Sequence, residues 1–184
     1  MDGSIQITKL NDFLFCPYTI YLHTIYDNFD KDTYQQTYQK IGSLKHDKID
    51  RYKYSTSKYL VQALPVYSQK YNLIGKIDLY NVKSKTLIER KYNIKIIYKG
   101  YIYQIYAQYF CMIEGNYEIK NLYLYSMKDN KKYKVPIPKS KEIKDFEKLI
   151  HLIRTFNIYT SDLEINPKKC NMCIYKELCP KRLC

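Results

Sequence analysis

The chain contains no run of about 18 apolar residues, which excludes a membrane-spanning helix of ordinary length. Its opening, MDGSIQITKL, lacks the apolar stretch of a secretory leader, so the expectation is a protein of the cytoplasm with no membrane partner. Internal repeats and low-complexity linkers are also missing, which argues against a solenoid or a string of modules. A length of 184 residues then fits one domain, 1–184, with room for a small appendage. Arginine is scarce, occurring only as Arg51, Arg90, Arg154 and Arg182. Lysine therefore dominates a balance of 31 basic against 18 acidic residues, a formal charge of +13. Such a charge permits nucleic acid as a partner. An AT-rich coding sequence would produce the same surplus of Lys, Asn, Ile and Tyr, so charge alone does not decide. The 23 tyrosines belong mostly in the core or on ordinary amphipathic surface.

The periodicity gives an α/β or α+β order of elements. A helix is expected over residues 7–27 with Thr8 as N-cap, interrupted at Cys16-Pro17, where proline removes a donor and crowds the preceding turn. A second helix covers 32–52 and carries Gly42 and His46. Three β-rich runs follow at 58–68, 71–81 and 86–93. GYIYQIYAQYFCMIEGN returns to helical spacing, with Gly115 as its stop. Strands at 118–126 and 131–137 and an amphipathic helix at 140–156 complete the order before a cysteine-rich tail.

GKIDLYNVKSKTLIERK is the chemically loaded stretch. A hairpin turning between Lys83 and Ser84 sets Asp78 opposite Glu89, with Cβ atoms about 5 Å apart. Lys91, two residues beyond Glu89, shares their face. Facing carboxylates repel, so the arrangement calls for a cation. Oxygen ligands at this separation suit Mg²⁺ or Mn²⁺, which would polarise a phosphoryl oxygen and acidify a bound water. Lys91 is then placed to orient or deprotonate that water, or to stabilise developing charge.

Four of the six cysteines fall within the last fifteen residues. In a reducing compartment clustered cysteines are ligands more often than disulfides. Cys170, Cys173 and Cys179 leave a four-thiolate site one ligand short, and Cys16 or Cys184 can supply it. Zinc and iron-sulfur chemistry both accept such a set. Cys111 lies in the apolar helix and reads as a small buried hydrophobe.

Asp78 in GKIDLY followed by Glu89-x-Lys91 in IERK resembles the PD-(D/E)xK nuclease superfamily. His46 after Gly42 in GSLKH is similar to the Gly-x-x-x-His motif of RecB-like nucleases. Gln104 in QIYAQYF is similar to their Gln-hydrophobic-x-x-Tyr motif, with Gln108 at the tyrosine position and Tyr109 one place later. The resemblance implies a RecB-like nuclease core, a mixed sheet flanked by helices. It implies His46, Asp78 and Glu89 as metal ligands, the Tyr92 carbonyl as a fourth, Lys91 as catalytic lysine and Gln104 as a catalytic helper on the substrate side.

With FCPY at one end and CNMCIYKELCP at the other, the pattern resembles the CRISPR-associated RecB-like nucleases, the Cas4 family. This resemblance spans Cys16 to Cys179. It implies a 4Fe-4S cluster held by Cys16, Cys170, Cys173 and Cys179, joining 1–30 and 158–184 into a cluster subdomain. The implied function is metal-dependent exonucleolytic processing of protospacer ends during spacer acquisition, with endonuclease activity left open. Its partners would be single-stranded or overhanging DNA and the Cas1-Cas2 integrase, with Tyr101 and Tyr103 offered as base-stacking residues. The alternatives are a non-catalytic nucleic-acid-binding module with a zinc or iron-sulfur cysteine site, and an iron-sulfur redox scaffold.

Overall fold

The computed structural model describes residues 3–26, 51, 55–160 and 166–183. Two mixed sheets flanked by helices give an α+β architecture. The chain enters through a short strand, β1 (Ile5–Gln6), that pairs in parallel with Leu73 and Ile74 and passes directly into helix α1 (Ile7–Phe15). Thr8 is therefore inside the helix, and Gln6 takes the cap position expected for it. The extended strand pairing brings the chain to the helix two residues earlier than the capping pattern suggests. Cys16 and Pro17 separate α1 from α2 (Tyr18–Tyr26), and Thr19 Oγ1 donates to the Cys16 carbonyl at 2.7 Å across that break. The helix expected over 32–52, with His46, lies outside the described residues.

The next two β-rich runs each divide in two. β2 (Leu60–Gln62) and β5 (Leu79–Asn81) join the larger sheet, whereas β3 (Pro65–Ser68) and β4 (Leu73–Lys76) join the smaller one. The register does not change at the crossing: Gln62 faces Leu79 on one side and Pro65 faces Lys76 on the other. Between them Ala63 N–H donates to the Asp78 carbonyl and Ile77 N–H to that of Leu64. One long hairpin thus bends from sheet to sheet. The bend falls at Ala63, whose φ of 49° lies in the left-handed region, and its small buried side chain packs with Leu79.

The larger sheet runs β2-β5-β6-β7-β8, with β6 at Thr86–Lys91, β7 at Asn121–Ser126 and β8 at Lys131–Val135. β6 and β7 are parallel and are connected through helix α3 (Lys99–Glu114). A Schellman motif ends α3: Asn116 N–H reaches the Ile113 carbonyl and Tyr117 N–H that of Met112. The helix stops at Gly115 as expected, and the left-handed residue that follows is Asn116, with φ 62°. Lys131, Lys132 and Lys134 put charge on the open edge of β8, where it discourages pairing with another chain.

Helix α3 lies against α1 and strands β3, β4, β6 and β7. Its buried Ile105, Tyr106, Phe110 and Met112 meet Leu73, Leu87, Leu122 and Leu124 in the main core. Helix α4 (Ser140–Thr155) adds Phe146, Leu149, Ile150 and Ile153 at amphipathic spacing. No helix among the described residues is long and apolar enough to cross a membrane.

Candidate functional site

The site begins at the β5–β6 turn. Ser84 N–H donates to Asn81 Oδ1 at 2.9 Å, and Lys85 adopts φ 51° before the strand resumes. The turn fixes Leu79 opposite Ile88 and Asn81 opposite Thr86, the register expected from its centre. One further step places Asp78 beside Glu89. There the Arg90 N–H donates to Asp78 Oδ2 at 2.7 Å, anchoring the first carboxylate through the backbone of the strand that carries the second.

Helix α3 completes the cluster. Lys91 Nζ lies 2.8 Å from Glu89 Oε1 and donates to Gln104 Oε1 at 2.6 Å. Gln108 Nε2 donates to Glu89 Oε2 at 2.6 Å and reaches the Lys76 carbonyl at 3.3 Å. Residues 104 and 108 stand one turn apart, so a single helix face grips the lysine and the carboxylate together. Gln104 is 7 % exposed and Gln108 1 % exposed. Sequence reasoning placed Gln104 at the site but read the bond partner of Gln108 no further than a shared helix face. A polar pair at i, i+4 on an otherwise apolar helix was the available signal.

The electrostatics follow from burial. The carboxyl of Glu89, 2 % exposed, has its pKa raised by desolvation and then by the like charge of Asp78. Lys91 and Gln108 offset only part of that shift. Burial pulls the Lys91 ammonium down, but Glu89 and Asp78 outweigh it and the net shift is upward. The cluster opens on a cleft of about 680 Å³ lined by Asp78, Glu89, Lys91, Gln104 and Gln108 together with Gln6, Pro65, Ile74 and Lys76.

Two expected participants lie elsewhere. Tyr92 is not among the cleft residues, and its carbonyl accepts the Lys128 N–H at 2.9 Å. Tyr103 packs toward the core beside Phe146 and Tyr106. His46 lies outside the described residues. Tyr101 does adjoin the cluster, with Lys91 Nζ 5.1 Å from its ring centre and the Tyr98 ring 4.1 Å away.

A second constellation joins the chain's two ends. Cys16, Cys170, Cys173 and Cys179 line one pocket of about 270 Å³ between α1, α2 and the tail. The tail includes the short helix α5 (Pro167–Asn171), capped by Asn166. Lys169 Nζ donates to the Leu14 carbonyl at 2.9 Å, and Tyr175, 1 % exposed, bonds His23 Nδ1 at 2.7 Å. His23 Nε2 in turn lies 3.2 Å from Asp12 Oδ2. Burial and then the neighbouring cysteines push the Cys173 thiol up to about 11, against a backbone N–H at Tyr175 that lowers it. Cys111 is buried in α3, away from the pocket, with its thiol pushed up to about 12 by burial. Cys184 is outside the described residues. Among the described residues no three His, Cys, Asp or Glu side chains converge on one metal ion.

The chain superposes on the crystal structure of SSO0001. The TM-score is 0.64 at 13 % identity, covering 100 % of this chain and 89 % of that one. At that identity the likeness shows a shared fold and carries no chemistry. No protein-family model matches the chain, and no curated protein does.

Proposed function

We propose that the chain is a divalent-metal-dependent nuclease of the PD-(D/E)xK type, acting on DNA that is single-stranded or bears overhangs. The observation that carries this reading is the meeting of Asp78, Glu89 and Lys91 in one cleft, each held by a bond from a different backbone or helix position. A structural ion pair needs neither a second facing carboxylate nor two buried glutamines to orient it. The donor set fits Mg²⁺ or Mn²⁺: the charge of two adjoining carboxylates is only partly compensated by one lysine, and hard oxygen ligands are what these cations take. Asp78 and Glu89 would hold the ion, with His46 as a further ligand. When bound, it supplies Lewis acidity that polarises a phosphoryl oxygen and acidifies a water.

The protein's own part is orientation and charge. Glu89 Oε1 and Gln104 Oε1 occupy two donors of the Lys91 ammonium, and a third N–H remains in its inventory for a phosphoryl oxygen. Because the Lys91 pKa is raised, the amine is a cation at neutral pH. It therefore serves as a stabiliser of developing negative charge rather than as a resting general base.

The pocket of four thiols fits a 4Fe-4S cluster by donor chemistry, because thiolates are its usual ligands. In this reading the cluster ties the two ends of one domain together and takes no part in hydrolysis. Membership of the Cas4 family, a role in trimming protospacer ends and contact with the Cas1-Cas2 integrase extend the proposal through the sequence resemblance. The test is cleavage of end-labelled single-stranded DNA in Mn²⁺ or Mg²⁺ by anaerobically purified protein and its Asp78→Ala and Lys91→Ala variants. Cleavage abolished by both substitutions, with visible absorbance retained, is the expected result. No cleavage by the folded parent, alone or with the integrase, would overturn the enzyme reading in favour of a binding module.

A further inference from the structure

Besides the carboxylates the cleft is lined by Gln6, Pro65, Ile74 and Lys76, which belong to the outer face of the small sheet. Pairing fixes which side chains share that face. Gln6 stands beside Ile74, and Ile74 stands opposite Tyr67. Pro65 and Lys76 form the neighbouring row on the same face. Tyr67 and Ile74 are 51 % and 47 % exposed, although both are large apolar-bodied side chains directly opposed across two strands. Single exposed hydrophobes are ordinary, but an in-register apolar pair continuous with a charged cleft is a binding feature.

We infer that this face is a stacking platform for an unpaired nucleobase of a single-stranded nucleic acid whose backbone enters the carboxylate cleft. Three observations lead there. The platform is continuous with the site: Ile74, Pro65 and Lys76 line the same cleft as Asp78, Glu89 and Lys91. It is also tied to the site, because one donor, Gln108 Nε2, reaches both the Lys76 carbonyl and Glu89 Oε2. The chain's formal charge of +13 complements a polyanion rather than an acid-poor apolar peptide. An aromatic ring beside an aliphatic side chain offers what a base face needs, and every base has such a face. A duplex hides its base faces in its own stack, so the platform selects single strands. The substrate class deepens the nuclease reading and rests on it, but the platform itself is a binding property.

Binding is therefore measured without turnover. A fluorescent single-stranded oligonucleotide and a duplex of the same sequence are titrated in EDTA with the parent, Tyr67→Ala, Ile74→Ala and Tyr67→Phe. The expected result is about a tenfold or greater loss of single-strand affinity in Tyr67→Ala. A smaller loss follows in Ile74→Ala, near-parental binding in Tyr67→Phe, and little change on duplex. Unchanged single-strand affinity, or equal losses on both substrates, overturns the platform. A change of molar mass in light scattering for Tyr67→Ala also overturns it, because the face would then join two copies of the chain. Mn²⁺-dependent cleavage by the same variants separates the two readings. Cleavage with no binding defect sinks the platform alone, whereas the binding defect with no cleavage by the parent sinks the nuclease reading alone.

Discussion

Replacing Lys91 with methionine keeps the length of the side chain and removes its charge. Glu89 would then remain 2 % exposed beside Asp78, with the Gln108 amide as its remaining side-chain partner. Breaking a buried ion pair by removing one partner costs about 3–5 kcal/mol. Lys91 retains 18 % side-chain exposure, so water relieves part of the loss and the lower end, about 3 kcal/mol, is expected near pH 8. That corresponds to a fall in the urea midpoint of roughly 1 M. The pH dependence identifies the cause. A carboxyl whose folded pKa is raised takes up a proton more readily in the folded state than in the unfolded one. Stability therefore declines as pH climbs from the unfolded toward the folded value. Without Lys91 the folded value rises further. The deficit of Lys91→Met should thus be largest at alkaline pH and shrink on acidification, as Glu89 takes up its proton. Adding Glu89→Gln should recover most of it. Urea unfolding followed by circular dichroism in EDTA, from pH 5 to 8.5, measures all three. A deficit that is flat in pH, or one that grows on acidification, would refute the reasoning.

Other outcomes follow from the same geometry. Gln108→Leu should cost about 2 kcal/mol in urea unfolding, since Glu89 Oε2 loses a charge-assisted bond, and markedly less in a Glu89→Gln background. Gly100→Ala would bring a methyl 2.3 Å from Asn11 Oδ1 and 2.6 Å from Tyr98, displacing the 2.6 Å Tyr98–Asn11 bond. A melting temperature lower by about 2–4 °C for each kcal/mol lost is expected, despite alanine's better helix propensity. Cys16→Ser and Cys173→Ser should each lower the visible absorbance and iron content of anaerobically purified protein, whereas Cys111→Ser should leave both unchanged. Equal loss from all three would move the metal away from the pocket at the chain's ends.

The features legible in the sequence were those set by short-range geometry. The turn at Lys83-Ser84 determines which residues oppose one another, and so the sequence alone brings Asp78, Glu89 and Lys91 together. The break at Cys16-Pro17 was legible for the same reason. Membership of a sheet was not. Runs 58–68 and 71–81 read as single strands because alternation continues through the bend, and only the left-handed backbone at Ala63 reveals that their halves serve different sheets. Burial on a helix was also partly hidden. Tyr103 and Gln108 are both tolerated on an amphipathic helix in either direction, and contact with Phe146 in one case and Glu89 in the other decides. Tyr67 carries no local mark at all, because its interest lies in standing opposite Ile74, which lines the cleft.

The bent hairpin from Leu60 to Asn81 constrains how this chain can change over evolutionary time. Its two arms keep one pairing through both sheets, and its second arm also pairs with the strand that carries Glu89, so deleting a single residue between Ile74 and Asp78 would force a slip either of Tyr67 against Ile74 or of Asp78 against Glu89. Substitutions can be tried one position at a time along this segment. Length changes cannot, except at the tip around Gln69–Asn72 or in compensating pairs across the arms. Related chains that share the site should therefore show a fixed spacing between the platform and the first carboxylate, while the loops elsewhere vary freely in length.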